Sequence, residues 1–221
     1  MSERRVALEA GALIAGAAPV NVEVPSTFTL LGITYEGQSA ELEVRTRRAG
    51  GGWSRWMSLE TEVGEGPDLD SEEHQRSRLG TQPLWTGAAD DAQVRVERPV
   101  RGLRDVKIHF IDATGASLGP LQKLAAIFRS QLRPAPADAA APPPIVSRAQ
   151  WGADESIKAC NPEVASKIKG AIVHHTAGTN NYAPGDSAAI VRGIYHYHVK
   201  ARGFCDIGYN FLIDRYGVMF E

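Results

Sequence analysis

The 221-residue chain is long enough for one large domain or two small ones, and 43% apolar with 23% charged residues is an ordinary globular composition. Its 24 basic and 26 acidic residues leave a net charge of −2, so nothing in the charge favours nucleic acid or an anionic membrane as a partner. No apolar run in the sequence is long enough to cross a bilayer.

The first 24 residues combine two basic side chains with a broken apolar stretch. Arg4 and Arg5 precede this stretch, as in a secretion signal, but Glu9 interrupts it and Gly16 divides the remainder. We interpret residues 1–24 as a flexible N-terminal tail, with a degenerate secretion signal as the alternative.

Short segments with a period of two follow in residues 25–113. Leu42, Val44 and Thr46 alternate with charged residues, and the same alternation recurs near Val94. Because turn signals separate these segments, residues 25–113 are predicted to form a mostly antiparallel β-sandwich or jelly-roll module.

Three tryptophans of this module, Trp53, Trp56 and Trp85, permit two interpretations. Exposed indole rings stack well on the apolar face of a sugar, whereas buried ones close the ends of a small sandwich core. We favour the core interpretation. The acidic residues 68–74 lack the ligand spacing of a calcium loop and are predicted to form a solvated turn.

A helix and a linker are predicted within residues 114–144. Apolar residues at helical spacing predict the helix over residues 118–132. The sequence PAPADAAAPPP follows at residues 134–144, and its prolines favour an extended, semi-rigid linker between two domains.

An α/β pattern follows the linker. The sequence IKGAIVHHTAG at residues 168–178 predicts a buried strand, and Asp186 or Ser187 caps a predicted helix that ends at Gly203. Residues 206–221 predict two strands joined by a tight turn.

Four of the six histidines, His174, His175, His196 and His198, lie in this second half. Neutral imidazole is a good zinc ligand, and catalytic zinc sites use three protein ligands and a water. Neighbouring residues of a strand point to opposite faces, and residues two apart on a helix do not share a face. These four side chains therefore do not assemble a three-ligand zinc site by themselves.

The two cysteines, Cys160 and Cys205, also lie in the second half. An even pair permits one disulfide that closes a long loop, but two buried free thiols fit the spacing equally well.

Four segments of the second half occur in the order and spacing of a known family. The segments are IVSRAQWGA (145–153), AIVHHTAGTNN (171–181), IYHYH (194–198) and GFCDIGYNFLIDRYGVMFE (203–221). With these segments, the second half resembles the peptidoglycan recognition protein and type 2 N-acetylmuramoyl-L-alanine amidase family. The first half is similar to the β-rich module that precedes this domain in some actinobacterial amidases.

The resemblance implies that residues 145–221 form the N-terminal half of an α/β amidase domain with a mixed sheet and helices. It implies an enzyme, a zinc-dependent hydrolase that cuts the amide between N-acetylmuramic acid and L-alanine of peptidoglycan. The alternative is a non-catalytic module that binds peptidoglycan or muropeptides, as zinc-free members of the family do.

Individual positions match the family's functional residues. By this resemblance, His174 corresponds to a zinc ligand and Tyr209 to a catalytic residue that assists the zinc-bound water and the tetrahedral intermediate. An arginine at position 202 favours a stem peptide that carries diaminopimelate, because a guanidinium pairs well with its extra carboxylate. The positions that match substrate-binding residues of the peptide groove are His198, Arg202, Gly203 and Phe204.

The resemblance has two further implications. It implies that Cys160 and Cys205 form a disulfide, which is typical of a secreted or cell-wall-associated protein. The family's two other zinc ligands are expected beyond Glu221, so we interpret the chain as C-terminally truncated, with His174 as its one ligand for Zn²⁺.

Overall fold

A computed structural model describes residues 1–9, 13, 18–61, 66–98, 102–115, 143–161, 166–176 and 178–221. The predicted helix at residues 118–132 lies outside the described residues, as does all of the predicted linker except Pro143 and Pro144. Among the helices that the structure describes, none combines the length and the apolar character of a membrane span.

The first half is a module of two antiparallel sheets that pack on a common core. The strands are β1 (Ser2–Leu8), β2 (Val20–Val22), β3 (Phe28–Glu36), β4 (Leu42–Arg47), β5 (Met57–Leu59), β6 (Leu79–Gly80), β7 (Leu84–Ala89), β8 (Asp91–Val96) and β9 (Arg104–Asp112). The first sheet has the order β1-β9-β3-β6, with β7 also paired to β3, and the second has the order β2-β8-β4-β5.

The alternation in β4 and β8 sets the register of the second sheet. Leu42 pairs with Val96 and Val44 with Val94, and all four side chains are buried. A slip of one residue would turn these side chains to solvent, so the pattern specifies one pairing. This part of the module agrees with the predicted antiparallel architecture.

The prediction of a flexible tail is wrong for Ser2–Leu8 and Val20–Val22. Strand β1 pairs with β9 from Ser2↔Asp112 to Leu8↔Val106, and β2 pairs with β8. The module therefore includes residues that precede position 25. The two arginines that suggested a signal, Arg4 and Arg5, are exposed residues of β1, and Val6 packs against the core.

The tryptophans divide between two environments. Trp85 is buried, as predicted, but Trp53 and Trp56 are half-buried and belong to neither hydrophobic core, so the core interpretation is wrong for them. The Arg45 guanidinium lies 5.1 Å from the Trp53 ring and 4.7 Å from the Trp56 ring. Because β4 points its arginines outward, these indoles stack on cations at the surface.

The acidic run contributes to a short helix, α1 (Glu72–Arg76), and not only to a turn. Ser71 Oγ accepts a hydrogen bond from the backbone N–H of His74 at 3.0 Å and caps the helix. The first turn carries Glu72 and Glu73, as the helix dipole favours.

The second half contains short helices and a mixed sheet. The elements of this half are β10 (Ile145–Val146), α2 (Arg148–Trp151), 3₁₀ turns at Glu155–Ile157 and Pro184–Asp186, α3 (Ser187–His196), β11 (Leu212–Ile213) and β12 (Met219–Phe220). Strand β12 pairs in parallel with β10 and antiparallel with β11. A π-helical turn, Tyr197–Arg202, continues α3 and ends at Gly203, whose φ of 81° is left-handed. The predicted helix start, helix end and β-hairpin are confirmed.

The predicted buried strand at residues 168–178 is wrong. Ile168, Ile172 and Val173 are 92–94% exposed, and no strand of the described residues pairs with this segment. A continuous apolar strand is buried only when neighbouring strands and covering elements enclose both of its faces. The described part of the second half provides only the three-stranded sheet, so the α/β amidase sheet is not formed there.

A second core joins the two halves. It contains Leu30 and Trp85 from the module together with Trp151, Tyr195 and Tyr197 from the second half. Tyr197 Oη donates a hydrogen bond to the carbonyl of Ile33 at 3.0 Å. Burial of these aromatic side chains stabilises the contact by roughly 2 kcal/mol for each ring, before the loss of side-chain entropy.

A buried guanidinium strengthens this junction. Arg192, on α3, is 4% exposed and donates hydrogen bonds to the Trp151 carbonyl at 2.5 Å and the Ala113 carbonyl at 3.3 Å. The two acceptors come from different halves, so the side chain ties α3 to both.

Glu3 forms a second polar link between the halves. Its two carboxylate oxygens accept hydrogen bonds from His109 Nδ1 and His196 Nε2, each at 2.8 Å. Burial alone would raise the pKa of Glu3, but the hydrogen bonds and charges of the two imidazoles outweigh burial and lower that pKa from 4.5 to about 2. The carboxylate therefore prefers its charged form in the folded protein.

Replacing Glu3 by Gln is expected to lower the free energy of unfolding by about 1–3 kcal/mol at neutral pH, because the amide has no charge and offers one acceptor oxygen in place of two. The folded pKa lies below the unfolded one, so this stabilisation is complete above pH 4.5 and disappears as the pH falls towards 2. Urea unfolding across this range measures both effects. Glu36→Gln, at an exposed ion pair with Arg104, is the control and should change little. Equal stability of the Glu3→Gln variant and the parent chain would contradict the proposed link.

Candidate functional site

The structure brings together three side chains that the sequence singled out. The Tyr209 ring lies between two imidazoles, with ring-centre distances of 5.3 Å to His174 and 5.5 Å to His198. Tyr209 is half-buried, and its hydroxyl donates a hydrogen bond to Gln82 Oε1 at 3.4 Å. A phenol and an accessible imidazole therefore meet at one point of the surface.

His174 is held in one tautomer. Its Nδ1 lies 3.0 Å from the backbone carbonyl of His175, and because a carbonyl only accepts, Nδ1 carries the proton. In a neutral imidazole with this tautomer, Nε2 carries the lone pair that can bind a metal. His175 lies beside Glu60 instead, with 3.3 Å between Nε2 and Oε2. The two neighbouring histidines thus have different surroundings, although they do not lie on the strand from which the sequence predicted this.

The zinc prediction requires more ligands than this cluster provides. Within the described ranges, no three His, Cys, Asp or Glu side chains lie close enough together to hold a metal ion. His198 Nδ1 accepts a hydrogen bond from the backbone N–H of Gly208 at 3.1 Å, which occupies that nitrogen. The described residues alone do not fit a zinc site, and His174 as a zinc ligand stays a prediction.

The predicted groove residues pack against one another. The His198 ring lies 5.1 Å from the Phe204 ring, and the Arg202 guanidinium lies 5.0 Å above Phe204. The π-helical turn ends between them, and Gly203 reverses the chain so that Phe204 folds back beneath His198. Their grouping agrees with a common site, but their burial does not agree with an open groove. His198, Arg202 and Phe204 are 1%, 3% and 4% exposed.

Residues of the β module cover this group. Arg202 Nε donates a hydrogen bond to the carbonyl of Arg78, and the backbone N–H of Cys205 donates to the carboxylate of Glu73. Gln82, which contacts Tyr209, belongs to the same stretch of the module. The sequence analysis missed these residues because no motif links them to a site that is more than 100 positions away.

A disulfide fixes the segment that precedes Tyr209. Cys160 and Cys205 are joined, with 5.0 Å between their Cα atoms. The sequence left a disulfide and free thiols open, and the resemblance implied the disulfide. For a separation of 45 residues, the chain-entropy model gives a stabilisation of about 4 kcal/mol. The backbone N–H of Ala159 also donates to the carbonyl of Cys205 at 2.9 Å.

An ionic cluster holds the same segment from its other side. Asp206 accepts a hydrogen bond from Arg148 at 3.1 Å and lies 3.1 Å from Lys158. Burial alone would lower the pKa of Arg148. Hydrogen bonds and negative charge from Glu155 and Asp206 outweigh burial and hold that pKa above its ordinary value. The Asp206 carboxylate also accepts from the backbone N–H of Ile207, which orders the chain just before Tyr209.

Known proteins match two parts of the chain. Residues 4–143 match the family described as Rv3811 N-terminal galactose-binding domain-like. Peptidoglycan recognition protein 1 of Bos indicus is 40% identical over 77 residues, which are 35% of this chain and 40% of that protein. Peptidoglycan recognition protein 3 of Homo sapiens is 39% identical over 79 residues, which are 36% of this chain and 22% of that protein.

Peptidoglycan-recognition protein SC2 of Drosophila simulans is 39% identical over 79 residues, which are 35% of this chain and 41% of that protein. The chain thus spans less than half the length of these curated relatives. No solved structure gives a significant match. The chain belongs to the Rv3811 N-terminal galactose-binding domain-like family over residues 4–143, and about a third of it is similar to peptidoglycan recognition proteins.

Proposed function

We propose that the chain recognises the muramoyl peptide of peptidoglycan at the surface around His174, Tyr209 and His198. The observation that carries this proposal is the contact between His174 and Tyr209, which are 35 positions apart and belong to two different family motifs. Relatives that are 39–40% identical to the chain over 77–79 residues are named peptidoglycan recognition proteins.

The chemistry of Tyr209, His174 and Arg202 suits this ligand. A muramoyl peptide presents amide groups, sugar hydroxyls and carboxylates. The Tyr209 hydroxyl both donates and accepts hydrogen bonds, and the exposed His174 ring offers a polar edge. A guanidinium such as that of Arg202 pairs with a carboxylate in a bidentate manner, which favours diaminopimelate over lysine in the stem peptide.

The second candidate function is zinc-dependent cleavage of the amide between N-acetylmuramic acid and L-alanine. It is favoured by the tautomer of His174, which leaves Nε2 available for a metal. Bound zinc would polarise the scissile carbonyl and acidify a water molecule. Tyr209 would donate a hydrogen bond to the oxygen of that carbonyl as negative charge develops. The remaining zinc ligands have to come from residues outside the described ranges.

A location outside the cytoplasm accompanies both candidates. The ligand is a component of the cell wall, and disulfides persist in oxidising compartments. The Cys160–Cys205 bond therefore supports a secreted or cell-wall-associated protein.

Titration with an N-acetylmuramoyl tripeptide that ends in diaminopimelate tests recognition. We expect saturable binding by calorimetry, with amide resonances near Tyr209 shifting in a two-dimensional NMR spectrum. A tripeptide that ends in lysine should bind more weakly, since it lacks the additional carboxylate. Binding that shifts no resonance near His174, Tyr209 or His198 would contradict this site, and absence of binding by either tripeptide would contradict the function.

A matched pair of variants tests the zinc proposal. His174→Ala is expected to lower zinc affinity at least tenfold, because it removes the available Nε2. His175→Ala is the control, since that imidazole lies beside Glu60 and should leave zinc affinity unchanged. Equilibrium dialysis against zinc measures affinity, and release of L-alanyl peptide from muramoyl peptide measures cleavage. Equal zinc affinities for the two variants would rule out His174 as a ligand.

A further inference from the structure

We propose that residues 73–82 of the β module, here named the cover segment, occupy the proposed peptide site and compete there with the muramoyl peptide. The inference rests on the proposed function, because it concerns access to the same site. It gives the β module a regulatory role: the module keeps the site closed until the ligand displaces the cover segment.

The centre of the cover segment binds as an extended peptide would. The backbone N–H of Arg78 donates to the carbonyl of Arg202 at 2.8 Å, and the carbonyl of Arg78 accepts from Arg202 Nε at 2.5 Å. One residue of the cover segment thus has both of its main-chain polar groups satisfied by Arg202. The first bond joins two main chains and the second comes from the Arg202 side chain. Hydrogen bonds to the main chain contribute to the recognition of extended peptides, and the main chain of a stem peptide carries the same groups.

Contacts at both ends anchor the cover segment. At one end, Glu73 Oε1 accepts a hydrogen bond from the backbone N–H of Cys205 at 2.7 Å. At the other end, Gln82 accepts from the Tyr209 hydroxyl. Between them, a Cβ added to Gly203 would lie 2.8 Å from the carbonyl oxygen of Arg76, so the segment follows the surface of the site closely.

Binding to Arg202 and Phe204 requires the cover segment to move. Both side chains are less than 5% exposed in the closed arrangement, which is too little for contact with a ligand. When a ligand binds only the open form, its apparent affinity falls in proportion to the open fraction. The β module therefore sets the affinity of the site without altering the site itself.

Residues 73–78 are the part of the cover segment that can be displaced, because they are exposed or half-buried, whereas β6 is paired with β3 and Thr81 and Gln82 are buried. Helix α1 (Glu72–Arg76) has only five residues, and none of them is buried. A cavity of about 310 Å³ borders Ser77, Arg78 and Leu79 and leaves room beside the segment. Segments with few buried contacts are the first to open in native proteins. The disulfide holds Cys205 in place, so opening moves the cover and not the site.

Glu73→Ala is the variant that tests the cover, because it removes the anchor at Cys205 and touches no proposed site residue. Loss of a hydrogen bond to a charged acceptor should raise the affinity for the N-acetylmuramoyl tripeptide by about tenfold to a hundredfold. Exchange of the Arg78 amide hydrogen, followed by NMR, should accelerate by a similar factor. Glu72→Ala removes the same charge one position earlier on α1 and should change neither quantity.

The full chain also gives a readout without mutation. If the tripeptide displaces the cover segment, binding should accelerate exchange of the Arg78 amide. A variant that exchanges faster but binds no tighter, or a ligand that leaves the Arg78 amide protected, would overturn the inference and leave the proposed function intact. No binding by any variant, with faster exchange in Glu73→Ala, would overturn the proposed function and the inference together.

A second variant tests the inference if Glu73→Ala leaves the exchange of the Arg78 amide hydrogen unchanged. Gly80→Ala places a Cβ 2.8 Å from the carbonyl oxygen of Ile33, 2.9 Å from Arg202 Cδ and 2.9 Å from Tyr197 Oη, so it forces the segment away from the π-helical turn that carries Arg202 and Tyr197. Tighter binding of the tripeptide supports the cover, and unchanged binding in a folded Gly80→Ala variant overturns it.

Discussion

The double burial of strand β3 is the constraint on which the rest of the structure depends. Leu31 and Ile33 face the sandwich core, whereas Leu30 faces the core shared with the second half. Gly32 lies on the shared side, where an added Cβ would collide with the ring of Tyr197. An apolar strand covered on one face only would leave the other face in water, so the second half completes the fold of the module.

The candidate site follows from this junction. Docking of α3 on β3 places the π-helical turn and Gly203 against residues 73–82, and the disulfide then directs the chain towards Tyr209. The polar links from Glu3 and Arg192 fix the angle of the helix relative to the sheet. Access to the site is therefore coupled to the packing of the β module, a coupling that neither half possesses alone.

The sequence predicted local features well and long-range contacts poorly. Period-two alternation identified β4 and β8, and capping residues identified both ends of the helix that begins at Ser187, because these signals lie within a few neighbouring residues. Strand β1 was missed because its inward-facing Glu3 is compensated only by His109 and His196, far along the chain. The segment at residues 168–176, which is largely exposed, was mispredicted for the converse reason, since burial depends on partners that the segment itself does not encode. The family motifs identified His174 and Tyr209 as residues of one site. Nothing in these motifs indicated that Gln82 and Arg78 would cover that site.

Differential scanning calorimetry of the whole chain tests the shared core most directly. If β3 is stabilised from both faces, the two halves unfold together, and the calorimetric enthalpy equals the van't Hoff enthalpy of a single transition. Two separable transitions, with the module melting independently of the second half, would contradict the account.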